Sequence, residues 1–138
     1  MRKLGLVAIA ALMGAAMSVP VVDAASSSPV EGSWTSIDPV DGSTQHLSIQ
    51  GGKNLQLQYI DELGTTCVDI GAPTPVFTGM LVGTFSDNGL VARFNSGRCG
   101  SRLVLRAADG FAWFFEYDPN TDTLWGAIND GPANWYRD

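Results

Sequence analysis

The stretch "QHLSIQGGKNLQLQYI", Gln45 to Ile60, decides the fold. Leu47 and Ile49 alternate with polar neighbours, "GGK" interrupts, and Leu55, Leu57 and Tyr59 then alternate with Gln56 and Gln58. A two-residue period on both sides of a tight break describes two strands with one buried face. The same pattern recurs outward in both directions. "SWTSI" (33–37) precedes it as a first strand, and "VFTGMLVGTF" (76–85) follows as a fourth, where Gly79 and Gly83 signal bending or close packing. "SDNG" (86–89) supplies an Asn-Gly hairpin turn. "LVARF", "RLVLRA", "FAWFFEY" and "TLWGAI" continue as the fifth to eighth strands, and the chain finishes at "NWYRD".

No stretch from residue 25 onward carries a convincing 3.6-residue apolar period, so the fold class is all-β. About eight short strands joined mostly by tight turns form an antiparallel meander. Closing it into a small up-and-down barrel removes its edges; an open sandwich is the alternative.

The amino terminus reads differently. Arg2 and Lys3 precede the apolar run "LGLVAIAALMGAAM", Pro20 breaks it, and "VDA" (22–24) offers small residues at the positions a signal peptidase reads. Residues 1–24 are therefore expected to be a secretory signal peptide, 25–31 a flexible leader, and 32–138 a single barrel-like domain. This implies a secreted or periplasmic protein with no membrane insertion after cleavage.

The whole chain has eight Lys and Arg against fourteen Asp and Glu; without Arg2, Lys3 and Asp23, six face thirteen, a formal charge of −7. Such a surface argues against nucleic acid or anionic membrane as partner. Cys67 and Cys99 are the only cysteines, both in the exported part. An even count in an oxidising compartment favours a disulfide, closing a loop worth about 2–4 kcal/mol.

In a meander of this kind, connections leaving odd-numbered strands share one end. That end receives "DPVDGS", the long "DELGTTCVDIGAPTP", "NSGRCGS" and "DPNTD", while "GGK", "SDNG" and "AADG" make a closed floor. Both sulfurs then fall at one rim with Asp38, Asp41, Asp61, Glu62, Asp69, Asp118 and Asp122, an acidic mouth.

"GSW" (32–34) and "WYR" (135–137) resemble the ends of the calycin barrels, the lipocalin and avidin group. The resemblance implies that Trp34 closes the barrel floor with Arg137 packed over its indole. "DGSTQHLSI", the spaced cysteines, "YDPNTDTL" and "WYR" also look like a family of small secreted bacterial β proteins. That likeness implies export and a compact β fold, and it carries no activity.

Candidate sites centre on strand seven, where Phe111, Trp113, Phe115 and Tyr117 share one face and Phe114 points outward. Trp113, Phe115 and Tyr117, with Trp125 from the next strand, either line a ligand cavity near the mouth or form a bulky core. Asp118, Asn120 and Asp122 are spaced like the start of a calcium loop, but Thr123 replaces its glycine and Asn129 its final glutamate, so no metal is assigned. Arg93, Arg98, Arg102 and Arg106 form a basic face. His46 is the only histidine, and no Gly-x-Ser-x-Gly, zinc cluster or phosphate loop occurs, so neither catalysis nor a cofactor is expected. The function this implies is a binding module holding a small apolar or amphipathic ligand at its acidic open end. The alternative is an interaction or inhibitor domain with a filled core, acting through Phe114 or the arginine face.

Overall fold

The computed structural model describes residues 27–127 and 132–138. The signal-peptide reading of residues 1–24 lies outside them. Within the described residues nine strands form one antiparallel sheet: β1 (Gly32–Ile37), β2 (Thr44–Gln50), β3 (Leu55–Asp61), β4 (Phe77–Ser86), β5 (Gly89–Cys99), β6 (Arg102–Arg106), β7 (Ala112–Asp118), β8 (Thr123–Ala127) and β9 (Pro132–Arg137). A short helix α1 (Thr65–Asp69) lies in the β3–β4 connection, and a single 3₁₀ turn (Ala107–Asp109) joins β6 to β7. β9 pairs with both β8 and β1, closing β1–β5 and β7–β9 into an eight-stranded barrel with β6 as an extra strand.

The alternation read from sequence is the alternation observed. Along β3, Leu55, Leu57 and Tyr59 are buried while Gln56 and Gln58 are exposed. Trp34, Leu47, Ile49, Leu81, Leu90, Ala92, Phe94, Phe115, Leu124 and Trp135 join them in a continuous interior cluster. Each buried apolar side chain of this size contributes about 1.5–3 kcal/mol by leaving water. The middle of the barrel is thus filled by side chains.

β6 departs from the expected meander, and its placement changes one end of the molecule. "RLVLRA" is expected as an independent sixth strand, with "ADG" as a hairpin turn. Instead β6 and β7 lie end to end along the same edge of β5. Cys99 pairs with Arg102 and Ser96 with Arg106, while Arg93 pairs with Ala112 and Gly89 with Glu116. Both run antiparallel to β5, so no reversal occurs between them. The physical cause is the length of β5. It extends through "NSGRC" to Cys99, and eleven residues offer an edge long enough for two short strands. Between them, Arg106 and Asp109 cap the 3₁₀ turn, and Gly110 adopts the left-handed φ of 75° that ends it.

Two strands in one position shift the direction of everything after them. The "DPNTD" turn therefore lies at the floor, not at the mouth. Asp118 and Asp122 are removed from the acidic rim, and "AADG" is a jog in the wall rather than part of the floor. The mouth end keeps the β1–β2 turn, the long β3–β4 connection and the β5–β6 turn, and there Cys67 and Cys99 are bonded with their Cα atoms 5.5 Å apart.

At the floor, the guanidinium of Arg137 stands 4.3 Å from the centroid of the Trp34 indole. Its Nε and Nη2 donate to the two carboxylate oxygens of Asp122, each at 2.8 Å. Nη1 and Nη2 also donate to the carbonyls of Glu31 (2.6 Å) and Pro29 (2.7 Å). The leader expected to be flexible over 25–31 is tied down where it is described. Val30 is fully buried in the core and accepts a hydrogen bond from the Trp34 indole at 2.9 Å. Glu31 accepts from the backbone N–H groups of Ser28 and Gly51. A turn of the leader thus plugs the floor.

Candidate functional site

The opposite end holds a cavity of about 140 Å³, lined by Tyr59 and Asp61 of β3, Gly64, Thr65 and Thr66 of the pinned connection, Phe77 of β4, Phe94 of β5, Val104 and Leu105 of β6, and Phe111 and Trp113 around the start of β7. An apolar cavity of about 150 Å³ accommodates one benzene ring, which sets the scale of any occupant.

Its walls follow from local sequence. Five of the lining residues are aromatic, and Trp113 packs edge to face on two of them: it meets Phe94 at a centroid distance of 4.5 Å and Tyr59 at 4.8 Å, with interplanar angles of 85° and 89°. Phe77 stands 6.1 Å from both Tyr59 and Phe94. Glycines make room for these rings. A Cβ on Gly79 would lie 2.5 Å from the Phe94 ring, and one on Gly97 2.6 Å from the Phe77 ring. The signal read at Gly79 is therefore close packing. The disulfide fixes the remaining wall, since α1 carries Cys67 and Cys99 ends β5. Gly64 donates to the Pro75 carbonyl at 2.7 Å, closing the base of the same connection.

Asp61 is the one charged residue in the lining. It is 4 % exposed. One carboxylate oxygen accepts from the Ser43 hydroxyl (3.0 Å) and the Leu63 N–H (3.1 Å), the other from the Tyr59 hydroxyl (3.2 Å). Burial pushes its pKa above the usual carboxylate value, against the lowering effect of those hydrogen bonds, and Asp38 adds to the rise. Tyr59 is driven strongly upward by burial and by Asp61, with Asp38 and Asp41 contributing. Sequence reasoning placed Asp61 on the rim. The available signal was stronger than that, because the period that turns Leu55, Leu57 and Tyr59 inward continues to Asp61.

The four aromatics read as either a cavity lining or a bulky core are dispersed. Trp113 lines it. Phe115 lies in the packed centre against Trp113 and Trp135. Tyr117 sits toward the floor, edge-on to Trp34, and donates to Asp122 at 2.9 Å. Trp125 is half exposed on the outer wall, where it and Tyr117 border a shallow groove with Pro119 and Asn134. The reason is register: Trp125 opposes the outward Glu116, so it shares that residue's face. Phe114 points outward as read, 64 % exposed.

The remaining candidates are built into other structure. Asp118 accepts from the Asn120 N–H within its own turn, and Asp122 is held by Arg137 and Tyr117. Among the described residues no three metal-ligating side chains converge. Arg93, Arg98, Arg102 and Arg106 are exposed, and within the described residues none lies at ion-pair distance from a carboxylate. His46 contacts Glu62 at 3.1 Å with both side chains about half exposed, and neither lines the cavity. The chain matches no protein-family model, no curated protein and no solved structure.

Proposed function

We propose that this is an exported binding module whose disulfide-pinned end holds a small apolar or amphipathic molecule, without catalysis. One observation carries the reading: the ring-sized cavity among Trp113, Phe94, Phe77 and Tyr59, at the only end of the barrel not plugged by core or leader in the described residues. A concave site with aromatic walls and a few placed polar groups is the usual form of a small-molecule pocket. The disulfide fits an oxidising compartment and supports export through the signal peptide at residues 1–24. The Trp34–Arg137 stack supports the likeness to calycin barrels.

A second reading rests on the outer wall. Phe114, Trp125 and Tyr136 are each more than half exposed or close to it, at 64, 50 and 58 %, on the adjacent strands β7, β8 and β9. The register sets them in a diagonal row, a surface suited to contact with another exported protein. Native mass spectrometry of the protein isolated from its own host separates the two. The first reading expects a small molecule that departs on unfolding. A co-purified protein with the cavity empty would favour the outer wall.

A further inference from the structure

We infer that the cavity is a site for a small organic ammonium ion, with Asp61 as its counter-charge and the rings of Tyr59, Phe77, Phe94 and Trp113 as its wall. The inference rests on the reading of the cavity as a ligand site and goes on to name the ligand's chemistry.

The chemistry follows from what Asp61 lacks. Among the described residues its three hydrogen-bond donors, the Ser43 and Tyr59 hydroxyls and the Leu63 N–H, are all neutral. Among the described residues no cation stands within ion-pair distance of it. A carboxylate accepts about four hydrogen bonds, and among the described residues the oxygen facing Tyr59 has one. A carboxylate buried without a cation is costly, and breaking or withholding its partner is what makes it so. A neutral ligand seated over Asp61 would deepen that cost, and an anion would add repulsion. An ammonium supplies both the missing charge and a donor for the unfilled lone pair.

The wall suits the same ion. Aromatic faces attract a desolvated cation, and five aromatic side chains line this space. The field has the matching sign. The carboxylates acting on Tyr59 and Asp61 are Asp38, Asp41 and Asp61 itself, and among the described residues no basic group acts on either. Acidification through the raised pKa of Asp61 should therefore weaken binding of the cation.

Three probes of one size separate the possibilities: benzylammonium, benzyl alcohol and benzoate, titrated calorimetrically against the full protein at neutral pH. Benzylammonium should bind at least about tenfold tighter than benzyl alcohol, and benzoate should not bind. Asp61→Asn should abolish the preference by weakening benzylammonium, with benzyl alcohol binding no weaker than before. Should that variant fail to fold, the same preference in the unaltered protein must fade as pH falls, with benzyl alcohol binding no weaker at low pH. Benzyl alcohol binding as well as benzylammonium would overturn the ammonium assignment and leave the pocket standing. Silence from all three at millimolar concentration would overturn both.

Discussion

Arg137, in the last strand, lies over the indole of Trp34, in the first, and Asp122 grips its guanidinium from the β7–β8 turn. Three distant parts of the chain thus meet at the floor and close the barrel. Trp34→Ala should destabilise by about 3–5 kcal/mol, as large aromatic truncations in a core do. Arg137→Lys keeps the charge but cannot reproduce the planar fork, and should cost about 1–2 kcal/mol in chemical denaturation. A loss below about 1 kcal/mol for Trp34→Ala would remove the floor from its structural role.

The two ends should respond to acid in opposite senses. Hydrogen bonds from Arg137, then Tyr117, hold the Asp122 carboxyl below its ordinary value, and the Ser28 N–H does the same for Glu31. Their stabilisation is present above the ordinary carboxylate range and is lost as pH falls through their depressed values. Asp61 is raised by burial, so its contribution is largest below the ordinary carboxylate value and disappears as pH rises through its folded-state value. Melting curves across pH should therefore show Asp61→Asn raising stability at pH 7 and flattening the change on mild acidification. Asp122→Asn should instead lower neutral stability and flatten the steeper loss at low pH. A lower melting temperature for Asp61→Asn at pH 7 would contradict the burial cost assigned to that carboxylate.

The disulfide has a local as well as a global consequence. Replacing Cys67 and Cys99 together by Ser should cost about 2–4 kcal/mol in unfolding free energy. It should also loosen Gly64, Thr65 and Thr66, which belong to the cavity wall, and weaken probe binding beyond any effect on the barrel. Thiol labelling of the denatured, unreduced protein should give no adduct. Two labelled thiols per chain would show that the wall is not pinned.

The barrel was legible because its strands alternate, and hairpins such as "QHLSIQGGKNLQLQYI" state their own register. The jog at β6 was not, because "RLVLRA" reads as a strand whichever edge it joins. "NSGRC" reads as a turn, yet it extends β5, with Gly97 leaving space for the Phe77 ring. With β6 and β7 sharing one edge of β5, the chain makes one reversal fewer than the strand count implies, and "DPNTD" falls at the floor. Trp113 was visible as an inward aromatic, but its companions Tyr59, Phe77 and Phe94 come from three other strands. Their meeting depends on barrel closure rather than on any local pattern.

The cavity is tested most directly by the indole N–H signals of the four tryptophans during titration with benzylammonium. Trp113 alone among them lines the site, while Trp34 closes the floor and Trp125 faces outward. The Trp113 signal should move in a saturable way with Trp34 and Trp125 unchanged. A stationary Trp113, with Trp125 moving or no signal moving at all, would contradict a ligand site at the pinned end.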